Sequence, residues 1–139
     1  MKTIIRLFYF IMFALWAHSA SAQTTVLVVA NIDSEMQLTK QQVRNLFLGG
    51  SLPENLRAVE LSPKNDLRVV FNTKVVGLTE ARIQSYWAQM RFSGRKKPPK
   101  QFDDKVLLIE YVLENEGSVC YLPSDHPIPE GLKVIFTAE

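Results

Sequence analysis

The run Val26-Leu27-Val28-Val29-Ala30 is apolar without a break and rich in β-branched residues. A strand with one face in water alternates apolar and polar positions, so an unbroken apolar strand needs cover on both faces and an interior place in its sheet. The chain must therefore supply helices, and four stretches qualify. Leu38-Thr39-x-x-Gln42 sets a hydrophobe and a capping box before Val43, Leu46 and Phe47, and Gly49-Gly50 ends that helix. A second helix is expected to open with Ser62 as N-cap and Pro63 in the first helical position, to carry Leu67, Val70, Phe71 and Val75, and to stop at Gly77. Thr79 caps a third, with Ile83, Tyr86, Trp87 and Met90 at three- and four-residue spacing and Gly94 as its stop. Asp103 is the expected cap of a fourth, bearing Val106, Ile109, Tyr111, Val112 and Leu113 and closed by Gly117.

Between the helices, residues 57–61 (Arg-Ala-Val-Glu-Leu), 118–122 and 132–136 read as further strands, the last two separated by a link that Pro123, Pro127 and Pro129 make irregular. Apolar strands interleaved with helices specify an α/β fold: a single small domain with a central β-sheet flanked by about four helices.

The first residues are set apart from this domain. Lys2 and Arg6 precede an apolar run, residues 7–16, that is short for a membrane span, and Ala20-Ser21-Ala22 is a small-residue cleavage motif. Residues 1–22 read as a cleavable signal peptide and residues 23–139 as the exported domain, with no cysteine near the cut to carry a lipid. Removing Lys2 and Arg6 leaves 14 of the 16 basic residues against 14 acidic ones, so the exported chain has no net charge and nothing global that favours nucleic acid.

Few residues could carry chemistry. The exported chain has one histidine, His126, and one cysteine, Cys120, the latter inside the apolar run Val119-Cys120-Tyr121-Leu122, where burial is expected. That inventory holds no metal-ligand spacing, no Cys/His nucleophile pair and no glycine-rich phosphate loop, so no catalytic residue, metal or cofactor is expected. The paired carboxylates Asp103-Asp104 and Glu114/Glu116 fall at helix ends, where capping accounts for them.

Two stretches remain as candidates for binding. Where the 57–61 strand feeds a helix, free backbone N–H groups and the positive helix end favour an anion, and Ser62, Lys64, Asn65 and Arg68 would contact it. The alternative is an ordinary capped helix whose Asp66 already satisfies the dipole. The second stretch is Arg91-Phe-Ser-Gly-Arg95-Lys96-Lys97-Pro98-Pro99-Lys100, five basic residues in ten. A helix C-terminus explains Arg91 and Arg95, and the three lysines around the diproline exceed what a cap needs, which suits an anionic partner or a solvated loop.

Leu38-Thr39-x-x-Gln42-Val43-Arg44-Asn45-Leu46-Phe47-Leu48-Gly49, Asn65-Asp66-Leu67-Arg68-x-x-Phe71, Tyr86-Trp87, Arg91-Phe92-Ser93-Gly94, Pro98-Pro99 and Gly117-Ser118-Val119-Cys120-Tyr121 together resemble the short members of the phosphate ABC transporter substrate-binding protein family. The resemblance spans nearly the whole exported chain. It implies about one lobe of a type 2 periplasmic-binding-protein-like fold, exported to a Gram-negative periplasm. In full-length phosphate binders the strand-to-helix turn holds phosphate with an Arg, an Asp and a run of hydroxyl residues. Matched by the closing Phe71, this chain has Leu61 at that Arg, Pro63 at that Asp, Asn65 at the first Ser, Asp66 at a Gly, Leu67 at the Thr and Arg68 at the last Ser.

The leading expectation is a periplasmic, non-enzymatic, solute-binding-like protein associated with transport, whose ligand is a small oxyanion such as phosphate held weakly at the Ser62 turn. The alternative is a ligand-free periplasmic adaptor that contacts a membrane transporter, receptor or sensor protein through Arg91, Arg95, Lys96, Lys97 and Lys100.

Overall fold

The computed structural model describes residues 24–139. The expected signal peptide lies outside the described residues. Five strands and four helices follow in order: β1 (Val26–Ala30), α1 (Lys40–Phe47), β2 (Arg57–Leu61), α2 (Asp66–Phe71), α3 (Glu80–Phe92), β3 (Lys100–Phe102), α4 (Lys105–Glu114), β4 (Ser118–Pro123) and β5 (Lys133–Ala138). They form one sheet in the order β3-β2-β4-β1-β5. β2 runs parallel to both β3 and β4, whereas β1 lies antiparallel between β4 and β5. As its composition requires, β1 is interior, and Val28, Val29 and Ala30 are all buried in succession. The same is true of all residues from Ser118 to Leu122 in β4, so both faces of the sheet are covered.

Local chemistry sets the helix ends. α1 begins with the full capping box, in which Gln42 N–H donates to Thr39 Oγ1 at 3.2 Å and Thr39 N–H donates to Gln42 Oε1 at 2.8 Å. Thr39 leaves Val43, Leu46 and Phe47 facing the core, where Phe71 stacks on Tyr121 and meets Phe47 at a tilt, with ring centroids 4.1 and 4.6 Å away. α2 passes into a π-helical turn, Asn72–Val76, that Gly77 ends in the left-handed conformation at φ 70°. Thr79 caps α3, which buries Ile83 and Trp87. At Gly49, where φ is 79°, a Cβ would stand 3.0 Å from the Trp87 ring, so the glycine there lets α3 lie against the end of α1.

Two expectations for the fourth helix need correction, and one strand was not anticipated. The fourth helix is capped by Asp104, whose side chain accepts from Leu107 N–H at 3.0 Å, rather than by Asp103. In that helix Leu108 and Val112 face the core, while Val106 is 64% exposed and Leu113 is also exposed. Residues 100–102 form a short edge strand, because Gln101 and its neighbours find open hydrogen-bonding groups along β2. No local pattern in Lys-Gln-Phe announces this strand.

Candidate functional site

Beyond Ala58 the parallel pairing of β2 with β4 stops, and the two strands part at their carboxyl ends. Ligands of open α/β sheets bind outside the carboxyl ends of strands, so this gap is where the fold would offer a site. Groups of the chain span it. Tyr121 Oη accepts from Leu61 N–H at 3.1 Å across the gap. Ser62 N–H continues the β2–β3 ladder by donating to Phe102 O at 2.8 Å, and Asn65 N–H closes a turn onto Ser62 O at 3.0 Å. Ser62 is thus held by the sheet, and Pro63 and Lys64 belong to the turn that follows. The helix starts at Asp66 with Asn65 as its cap, Asn65 Oδ1 accepting from Leu67 N–H at 3.0 Å. The expected cap at Ser62 and helical start at Pro63 are therefore displaced, because Ser62 is committed to the ladder and Asn65, an equally good cap, takes its place. The resulting α2 has only six residues.

Arg68 points from this helix back beneath the strand and is completely buried. Its Nε donates to Glu80 Oε2 at 2.8 Å and its Nη2 to Glu80 Oε1 at 2.9 Å, a two-pronged contact with the first turn of α3. Its Nη1 reaches Leu61 O at 2.7 Å and Glu60 Oε1 at 2.7 Å. Asn72 Nδ2 donates to Glu80 Oε2 at 3.1 Å and Gln84 Nε2 to Glu80 Oε1 at 2.6 Å. The carboxylate of Glu80 therefore sits in a cradle of four side-chain donors, the arrangement an oxyanion would want. Glu60, itself 5% exposed, also accepts from Gln101 Nε2 at 2.9 Å.

One cation shared by two carboxylates leaves this cluster with a formal charge of −1, and the two acids respond in opposite directions. Burial raises the Glu60 carboxyl above its ordinary range, an effect the Arg68 charge only partly offsets. Burial also acts upward on Glu80, but the hydrogen bonds from Arg68 and Gln84 outweigh it and hold that carboxyl below its ordinary range. Arg68 loses from burial and gains more from its two partners, so its guanidinium stays charged.

The four residues expected at an oxyanion site thus have different fates. Arg68 is locked inside, Ser62 is half-buried in the ladder, Lys64 is exposed, and Asn65 caps the helix. A cleft of about 280 Å³ does open at this end, lined by Leu61, Asn65, Asp66, Leu67, Val70 and Lys105 among others. Of the four, only Asn65 borders it. Glu60, Glu80 and Asn72 were not singled out from the sequence: Glu80 directly follows a cap and reads as an ordinary first-turn acid, and nothing local links it to a residue twelve positions earlier.

The basic stretch is laid out differently. α3 ends at Phe92, Ser93 caps it, and Gly94 turns the chain at φ 66°. Arg91, Arg95, Lys96 and Lys97 are all exposed, and Phe92 among them is 97% exposed. Arg91, Gly94, Lys96, Lys97 and Pro98 border a concavity of about 450 Å³ with no carboxylate in its lining. Lys100 is apart from this group, its Nζ lying 4.2 Å from the Tyr111 ring and 5.4 Å from the Phe102 ring, where it secures β3.

Among the described residues no group of three His, Cys, Asp or Glu side chains could hold a metal ion, and no helix is long and apolar enough to cross a membrane. Cys120 is buried in β4, and burial pushes its thiol up to about 12.

No protein-family model and no curated protein sequence matches the chain. Among solved structures it is similar to an ABC-type phosphate transport receptor from Vibrio cholerae, with a TM-score of 0.57 at 13% sequence identity. The match covers 81% of this chain and 46% of the receptor, so the chain spans less than half of that protein's length. The likeness is one of fold: a single small α/β domain, a five-stranded sheet with four helices, built like one lobe-sized part of that receptor.

Proposed function

We propose that this chain is an exported accessory protein that keeps the fold of a binding-protein lobe without its solute site, and works by docking through its basic 91–97 hook. The observation that carries the reading is the Arg68 cluster. The side chain best suited to hold an oxyanion at the strand-to-helix turn already holds Glu80 with both prongs and is fully buried. Displacing Glu80 would require a free anion to outcompete a carboxylate that is tethered in place and served by two further amides. Asp66 adds a negative charge at the start of α2, where it opposes an incoming anion. The hook, by contrast, presents four cations and an aromatic ring to solvent.

A second reading is favoured by one observation, the fold shared with a phosphate transport receptor. In it, a transport-associated protein holds phosphate weakly at the turn through Ser62, Lys64 and Asn65. Thermal unfolding separates the two readings, because a ligand that binds only the native state must raise the melting temperature by mass action. The docking reading expects millimolar phosphate to shift the melt no more than chloride at matched ionic strength. A saturable phosphate-specific rise that Lys64→Ala diminishes would overturn it.

A further inference from the structure

We infer that the 91–97 hook is a docking site for an anionic phospholipid surface, an inference that rests on the docking reading above and names its partner. Phe92 stands in the last turn of α3 almost wholly in water, while Ile83 and Trp87 on the same helix are buried. Arg91 precedes it and Arg95, Lys96 and Lys97 follow across the Gly94 turn. Three of those four cations border one concavity, about 450 Å³ in volume and free of lining carboxylates, so nothing lining it repels an anionic surface.

The composition separates a lipid from a protein partner. Protein interfaces need a packed apolar centre and are depleted in lysine. Phe92 has no such centre around it, since the other large exposed apolar side chains among the described residues, Val69, Val106, Leu107 and Leu113, lie on α2 and α4. A bilayer asks for less: one ring at headgroup depth and several long cations beside it, whose stems lie along the apolar boundary while their charges meet lipid phosphates. Phe92 supplies the ring and Arg91, Arg95, Lys96 and Lys97 the charges. Neither signal alone gives stable attachment, and the pair gives reversible binding that salt weakens.

The test uses residues 23–139, which contain every described element, with sedimentation of vesicles of phosphatidylcholine alone or mixed with phosphatidylglycerol. The protein should sediment with the mixed vesicles, stay in solution with the neutral ones, and be released by added salt. Each cation contributes about fivefold to partitioning at such a surface, so Lys96→Ala with Lys97→Ala should lower it roughly 25-fold. Phe92→Ala should weaken binding without changing its salt dependence, and the added indole of Phe92→Trp should shift its emission to the blue on mixed vesicles only. Equal partition onto neutral vesicles, no partition onto mixed ones, or indifference to the double lysine change would each overturn the inference. Capture by polyglutamate in place of mixed vesicles would overturn it in favour of an acidic protein. Failure here leaves the phosphate melt of the previous section unaffected, so the docking reading and its lipid partner fall separately.

Discussion

Replacing Arg68 by Met tests the central claim about the strand-to-helix turn. Met matches the length and much of the volume of the arginine stem, so the change removes charge and donors with little cavity. It strips Glu60 of its only cationic partner among the described residues while that carboxylate is 5% exposed, and it removes two of the four side-chain donors to Glu80. Taking one partner from a buried ion pair costs about 3–5 kcal/mol because the other charge is left without compensation. A domain of this size has about 5–15 kcal/mol in total, so the loss should move the midpoint of urea denaturation a long way at neutral pH. Adding Glu60→Gln to Arg68→Met should recover part of the loss, since the remaining acid, Glu80, is partly open to water. Arg68→Lys should restore charge without the two-pronged geometry and fall between wild type and Met. If Arg68→Met costs less than about 1 kcal/mol, the value of an exposed pair, the cluster is not the buried latch described and the case against an oxyanion at this turn fails with it.

The same cluster predicts how stability follows pH. The Glu60 carboxyl is raised by folding, so its contribution is fully present below the ordinary value of 4.5 and lost as pH rises through the folded value. Glu60→Gln should therefore gain on wild type at neutral pH and lose that advantage in acid, read by denaturation across a pH series. Glu80 is lowered by folding, so Glu80→Gln should cost stability above 4.5, and the deficit should vanish as pH falls through the folded value of that carboxyl. Trp87→Ala should cost roughly 3–5 kcal/mol, since the ring is buried against Gly49, and an unchanged denaturation midpoint would show that α3 does not pack there. Expressed in a Gram-negative host, the full-length chain should yield a periplasmic product whose intact mass begins at Gln23; the 139-residue form in the membrane fraction would refute the leader.

What could be read from the sequence was local in its physics. The unbroken Val26–Ala30 run demanded an interior strand, the Thr39/Gln42 box fixed the start of α1 within a few residues, and Thr79 and Gly77 marked the break between α2 and α3 correctly. The failures were tertiary. Ser62-Pro63 has every local mark of a helix start, and only the backbone of Phe102, forty residues away, draws Ser62 into the sheet. Lys-Gln-Phe becomes a strand because the edge of β2 is vacant, which its own residues do not announce. Arg68 read as a free cation because its partners lie eight residues before it and twelve after. At the hook, three- and four-residue spacing through Ile83, Trp87 and Met90 left Phe92 off the buried stripe, so its exposure was implicit in the pattern even though its cationic neighbours drew the notice.

The antiparallel place of β1 between β4 and β5 has a consequence for the order of events when the chain is made. Val26 pairs with Pro123 on one side and Ala138 on the other, so the first strand to emerge must wait for the last two. Contacts of such long sequence separation form slowly, because the loop between them must close before any pairing repays it. During synthesis β1 is an uncovered apolar segment, and the core it completes cannot close around a nascent fragment. In the exported reading proposed above this delay is useful: the chain stays threadable until β5 is available, and folding is deferred to the far side of the membrane.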